Sequence, residues 1–248
     1  MQLALALGDS KLPQIRDALR LAYGTHRDLR RHTINDQFAK AMLSSCTRDT
    51  VSGPAFLRLT NLVPAWDLLP GIHPCMILRT VADITYAPDK VRHLLQCIHI
   101  VARERGAFDL SFLAGWPEDD AMSWLRRLPG VGPKVAAATL NFSDARKCVL
   151  TVDRHVLRLS TRLGLLPPRA SFASGLRILT QLVPPDWSAD DLYELHWLMK
   201  MHGQRVCRHM RSLCEDCVLA PDCPCVRSNS QQSIAPKSEN RLSVKAIL

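Results

Sequence analysis

Apolar positions along the chain recur at spacings of three and four rather than two, and runs of β-branched residues are short. That period is the signature of amphipathic helices. Prolines and glycines punctuate it at Pro64, Pro70-Gly71, Pro88, Pro117, Pro129-Gly130, Pro167-Pro168 and Pro184-Pro185. No Asn-Gly or Asp-Gly pair separates alternating runs, so the pattern predicts an all-α fold without hairpins of strand. One helix is bounded at both ends. Ser188 and Asp191 make a capping-box pattern, Leu192, Leu195 and Met199 share a face, and Gly203 is placed to close the end. From Arg227 onward the segment SNSQQSIAPKSEN is polar and aperiodic, which predicts a disordered basic tail over 227–248.

The segment from Trp116 to Phe142, WPEDDAMSWLRRLPGVGPKVAAATLNF, carries the sharpest local signal. Pro117 suits the first position of a helix whose opening turn holds Glu118, Asp119 and Asp120, the sign the helix dipole favours there. Leu128-Pro129-Gly130-Val131-Gly132 then forms a tight turn, and Pro133 starts a second helix made slim by Ala136, Ala137 and Ala138. A glycine hairpin between two helices presents backbone N–H groups suited to a phosphate. An ordinary packed helical hairpin has the same outline. Lys134 sets this one apart, because a lysine in a first helical turn faces the positive end of the dipole, which favours the neutral amine that Schiff-base chemistry requires.

A second segment, CVLTVDRHVLRLSTRLG from Cys148 to Gly164, places Asp153 as the N-cap of a helix. On that helix Val156, Leu159 and Leu163 face a core, while Arg154, Arg158 and Arg162, spaced by four, form a basic stripe read as contacts to a nucleic-acid backbone.

The whole chain holds 248 residues with 32 Lys plus Arg against 23 Asp plus Glu, a formal charge of +9. That balance selects an anionic partner and argues against a basic one. Five of nine cysteines lie between Cys207 and Cys225. Cys207, Cys214, Cys217 and Cys223 form C-x6-C-x2-C-x5-C, a set that holds zinc or an iron–sulfur cluster more readily than it forms disulfides. Cys225 falls outside the spacing and reads as a spare thiol. Lys200, Arg205, Arg208 and Arg211 surround the loop, where they offset thiolate charge or meet phosphate. The segment Met1 to Leu7 lacks the charged and long apolar regions of a signal peptide, and no run of 18 apolar residues exists, so the expected setting is a reducing cytoplasm without membrane contact.

Taken together, LPGVGPK, VDRH with Asp153 nineteen residues after Lys134, and HWLMKMHGQRVC before the four-cysteine loop resemble the endonuclease III family of helix-hairpin-helix DNA glycosylases, over about Asp36 to Cys223. The resemblance implies two helical domains: a six-helix barrel with the hairpin over 34–147, and a cluster domain built from 1–33 plus 148–226. It implies a [4Fe-4S] cluster on Cys207, Cys214, Cys217 and Cys223. It places the catalytic lysine on Lys134, the catalytic aspartate on Asp153 and the phosphate-binding hairpin on Leu128, Gly130, Val131 and Gly132. His155 matches a histidine near the lesion, and the residue that wedges into the duplex falls at or near Tyr86. In Met42-Leu43-Ser44-Ser45-Cys46-Thr47-Arg48-Asp49, Cys46 stands where the family's gap-filling glutamine would be. The implied activity is a glycosylase and abasic-site lyase acting, as a monomer, on double-stranded DNA with a damaged base, oxidised pyrimidines above all, or an abasic site. A protein that binds damaged DNA without cutting it, or a glycosylase without lyase activity, would share many of these residues.

Overall fold

The computed structural model describes residues 11–25 and 31–226; the predicted tail over 227–248 and the segment Met1 to Leu7 lie outside them. Ten α-helices appear among the described residues: α1 (Lys11–Tyr23), α2 (Ile34–Ser44), α3 (Asp49–Leu62), α4 (Pro74–Thr80), α5 (Ala87–Arg105), α6 (Glu118–Leu125), α7 (Pro133–Phe142), α8 (Arg154–Arg162), α9 (Phe172–Gln181) and α10 (Ala189–Arg205). The only β pairing among them is an isolated bridge between His32 and Ser143, so the fold is all-α, as the periodicity predicts. No described helix is long and apolar enough to cross a membrane.

The caps follow the sequence closely. The Ser188 side chain accepts from Asp191 N while the Asp191 carboxylate accepts from Ser188 N, completing the capping box of α10. Asp153 caps α8 and Pro133 opens α7. Two boundaries differ. Pro117 is the N-cap of α6 rather than its first residue. Gly203 does not close α10, which runs on to Arg205; a Cβ at Gly203 would meet His155 Cβ at 2.8 Å. Its role is close approach of α10 to α8 rather than termination.

Buried side chains fall into two clusters. The first runs from Ile34 to Val149 and is centred on Phe38, Leu43, Leu59, Leu69 and Leu94; the second joins Leu12, Ile15 and Leu19 of α1 to Leu150 and the residues beyond it. Helix α1 is held on α10 by ion pairs. The Arg20 guanidinium donates to the fully buried carboxylate of Glu194, with Nε at 3.0 Å, and Arg16 reaches Asp191 Oδ1 at 3.0 Å. A carboxylate without access to water requires such a partner.

Helix α7 contributes to the first cluster and packs against helices of the second. It packs on α2 and α6 at one side and on α9 and α10 at the other. Every residue from Val135 to Asn141 is buried, and Ala136, Ala137 and Ala138 permit the close approach of neighbours from two directions. A helix apolar on all sides is one that other helices enclose. The polar Asn141 survives there because its Nδ2 donates to the carbonyls of Lys147 and Ala189, at 2.8 and 2.9 Å.

The turn into α7 depends on Gly130. Its φ is +74°, and a Cβ there would lie 2.6 Å from His93 Nδ1 on α5. Gly130→Ala is therefore expected to cost about 2 kcal/mol, from left-handed backbone and steric conflict together, lowering the melting temperature by about 4–8 °C. Adding His93→Ala relieves the steric part alone. A thermal melt of Gly130→Ala matching wild type would contradict this.

Candidate active site

Lys134 is the second residue of α7, and its Nζ donates to Ser44 Oγ at the end of α2, at 3.2 Å. Its pKa falls from the ordinary lysine range to about 8. Burial is the main cause and the ammonium of Lys200 the next; Asp153, Asp49 and Cys46 act in the opposite direction. The direction agrees with the reading from helix position, but the chief cause is withdrawal from water.

Asp153 is buried at the head of α8. Both of its cap hydrogen bonds, from His155 N at 2.8 Å and Val156 N at 2.9 Å, fall on Oδ1, and Oδ2 takes neither. Capping thus occupies one oxygen of the side chain and leaves the other without a cap bond. Burial acts to raise the carboxyl pKa, but His196, the Val156 N–H, His155 and Lys200 outweigh it, and Asp153 is held below the usual carboxylate range. His196, on α10, lies behind it. Its Nδ1 is 2.9 Å from the Thr151 carbonyl, which can only accept, so Nδ1 carries the ring proton. Burial pushes His196 down to about 4.

The hairpin presents backbone rather than side chains. Leu128 and Val131 are buried in the first cluster, so any contact by them to DNA would be through main chain alone. Among the described residues the N–H groups of Gly130 and Gly132 take no protein acceptor, α7 has no side-chain cap, and a Cβ at Gly132 would meet nothing within 4 Å. This is an open turn of unpaired donors.

Cys46 and Tyr86 share an unusual backbone. Their φ values are +54° and +57°, left-handed for residues with side chains. Thr47 Oγ1 joins the two turns by accepting from Thr85 N at 3.1 Å and from Lys90 Nζ at 2.8 Å, and Lys90 Nζ also donates to Leu43 O at 2.8 Å. Strain of this kind, about 1–3 kcal/mol per residue, persists where surroundings fix it; Arg146 and Arg169 carry it as well. Tyr86 is 67% exposed at the tip. Arg154 Nη2 reaches Cys46 Sγ at 3.2 Å, which puts Arg154 beside the same loop.

The rest of the basic stripe faces inward, which corrects its reading as backbone contacts. Arg158 donates from Nε and Nη2 to Cys207 O and from Nη2 to Gly203 O, at 2.7–3.0 Å, and touches His155 Nδ1. Arg162 donates to Arg208 O and Ser212 Oγ at 2.7 Å and to Cys207 Sγ at 3.2 Å. Both guanidinium groups tie the cysteine loop to α8. Lys200 is likewise not spent on the loop: it pairs with Asp49.

None of the nine cysteines forms a disulfide. Cys207, Cys214, Cys217 and Cys223 line one cavity of about 240 Å³, and Cys225, expected outside the set, lines it too. Among the described residues no three His, Cys, Asp or Glu side chains gather closely enough to hold a single ion. Four thiols lining one cavity are a donor set that zinc and an iron–sulfur cluster both accept. Ser44, Asp49, His196 and Lys200 are the residues near the site that sequence reasoning did not assign; they come near it through the packing of α2 and α10 on α7 and of α3 on α2.

No family model matches the chain. It is 28% identical over 184 residues to the endonuclease III-like protein 1 of Gallus gallus, across 74% of this chain and 61% of that protein. It is 31% identical to the endonuclease III homolog of Encephalitozoon cuniculi, across 74% of this chain and 75% of that one. It is 32% identical over 214 residues to the endonuclease III of Thermotoga maritima, across 85% and 93%. The chain belongs to the endonuclease III family. Its fold agrees: a solved endonuclease III–DNA complex, non-covalent, superposes with a TM-score of 0.74 over 91% of this chain and 100% of that one at 18% identity. A thermostable thymine-DNA glycosylase gives 0.68 over 88% and 97% at 15% identity. Membership makes it a DNA glycosylase, in a family whose enzymes bind an iron–sulfur cluster.

The two oxygens of Asp153 give a separable prediction. Asp153→Asn keeps a capping oxygen and should melt within about 1 kcal/mol of wild type while losing most glycosylase activity. Asp153→Ala should lose activity and also about 1 kcal/mol of stability with the cap. Full activity in the folded Asn variant would contradict the role of the charge.

Proposed function

We propose that this chain is a bifunctional DNA N-glycosylase and abasic-site lyase of base excision repair, removing oxidised pyrimidines from double-stranded DNA. The observation that carries the proposal is an amine with a pKa of about 8, Lys134, held near an ionised carboxylate, Asp153, at the start of two adjoining helices. The reaction starts from an extruded nucleotide, which costs a few kcal/mol and less for a damaged base. Tyr86, at the tip of its strained turn, holds the unstacked duplex, and Cys46 enters the gap where the family's glutamine would be. The hairpin N–H groups and Arg154 hold phosphate; His155 stands near the lesion.

The neutral Lys134 amine attacks C1′ of the deoxyribose and the base departs with the glycosidic electron pair. Asp153 Oδ2, free of capping duty, stabilises the positive charge that develops on the sugar and takes the proton lost by the attacking nitrogen. The sugar ring then opens, O4′ leaving C1′ with the bond's electron pair and taking up a proton, and the nitrogen lone pair completes the Schiff base; this acidifies the C2′ proton, whose removal expels the 3′ phosphate and nicks the strand by β-elimination. Water returns the lysine. Because the amine acts deprotonated, the rate climbs with pH up to about 8, and about a tenth of the molecules are competent at neutral pH.

Cys207, Cys214, Cys217 and Cys223 are the residues that would hold a [4Fe-4S] cluster. Such a group supplies a rigid cross-link and a one-electron couple when bound. Arg158 and Arg162 fix the loop from α8.

Borohydride trapping on an abasic duplex tests the chemistry. Wild type should give a covalent adduct, and Lys134→Ala should reduce it by about a thousandfold or more. Absence of a wild-type adduct would favour a binding protein or a monofunctional glycosylase. The pure protein should absorb broadly near about 400 nm and carry about four irons per chain; a colourless, iron-free protein would contradict the cluster.

A further inference from the structure

Lys90 of α5 is only 7% exposed, yet it contacts the turns that carry two exposed side chains, Cys46 and Tyr86. Its Nζ donates to Leu43 O and to Thr47 Oγ1, both at 2.8 Å, and these two residues bracket Cys46. Its backbone N–H donates to Tyr86 O at 3.1 Å, the bond that starts α5. One residue therefore grips the first turn by its side chain and the second by its main chain.

The contacts on both sides are saturated. Thr47 Oγ1 donates to Ser45 O at 3.3 Å and accepts from Lys90 Nζ and from Thr85 N, so its one proton and both lone pairs are in use. Leu43 lies in the last turn of α2, which holds no basic residue of its own. The free carbonyls and the negative dipole end of that turn receive the Lys90 charge. The next residue, Ser44, accepts from Lys134 Nζ at 3.2 Å. The end of α2 thus touches the clamp through one residue and the proposed nucleophile through its neighbour.

We propose that Lys90 is a positioning residue for nucleotide extrusion: it locks the Cys46 and Tyr86 turns into one rigid double tip, so that the two side chains enter the duplex together and in register with Lys134. The inference rests on the proposed roles of Cys46 and Tyr86 in the unstacked duplex. Both residues hold left-handed backbone, with φ of +54° and +57°, which a side chain disfavours. A turn of that kind relaxes unless its surroundings fix it. The Lys90–Thr47–Thr85 bonds are the surroundings that the two turns share. An apolar residue would fill the same buried space; an ammonium adds donors aimed at two separate acceptors, and so fixes the distance between the turns.

The test separates holding the duplex open from breaking bonds, using the full chain. The first probe is a duplex with 2-aminopurine opposite a tetrahydrofuran abasic analogue, whose fluorescence rises as the base loses its stacked neighbours. Wild type at saturation should raise it, and Lys90→Met should give a smaller rise. Lys90→Met should also slow borohydride trapping on an abasic duplex about tenfold or more, while trapping on the same abasic strand without its complement stays within about twofold of wild type. A single strand has no stack to hold open. Thr47→Val removes the same bond from the other side and serves should Lys90→Met fail to fold; it should show the same split. The double variant should fall no further than Lys90→Met alone. Circular dichroism establishes that each variant is folded. A wild-type fluorescence rise in a folded variant, or equal trapping losses on single and double strands, overturns the inference and leaves a structural lysine. Tyr86→Ala tests the reading beneath it. If Tyr86→Ala keeps the wild-type rise, the wedge assignment fails and the clamp with it. If Tyr86→Ala loses the rise and Lys90→Met keeps it, the wedge stands and the clamp alone falls.

Discussion

Water stabilises an ammonium ion far more than it stabilises an amine, so an amine can be kept neutral by taking water away. The arrangement around Lys134 follows from that constraint. The helix that carries it, α7, is enclosed on two sides, with three successive alanines to admit its neighbours. In its first turn Lys134 donates to Ser44 at the end of α2 and lies in the field of charged residues on α3, α8 and α10. A lysine on the surface of either core alone would keep its hydration and its proton. Lys134 stands on a helix of the first cluster against which helices of the second pack.

The same packing decides what the positive charge of the chain is for. Its excess of basic residues selects an anionic partner only in sum. Individually, Arg20 and Arg16 anchor α1, Arg158 and Arg162 secure the cysteine loop, and Lys90 bridges the turns that carry Cys46 and Tyr86. Among the residues that face outward, the open hairpin turn and Arg154 lie next to the proposed chemistry. Interior use of cations makes the loop and the strained turns rigid, and rigid elements place reactive groups more accurately than mobile ones.

Much of this was legible in the sequence wherever the physics is local. The capping box at Ser188, the cap at Asp153, the hairpin glycines and the helix start at Pro133 each follow from a few adjacent residues, and the structure has them. The closing role given to Gly203 was a local inference that failed, since the glycine answers to His155 on another helix. Arg158 illustrates the same limit: helical spacing fixes the face on which a side chain starts, but a long flexible one ends where acceptors lie, here the Cys207 and Gly203 carbonyls. Lys200 and Asp49 are 151 residues apart and carry no shared motif. Only the packing of α3 on α2 and of α10 on α7 brings them together.

The central claim is that Lys134 is neutral enough to attack because of where it is buried. An NMR titration of protein labelled with ¹³C at the lysine ε-carbons, with Lys134→Ala to assign the resonance, measures that directly. The account predicts a midpoint of about 8 for Lys134. A midpoint at about 10.4, the value of an exposed lysine, would contradict it.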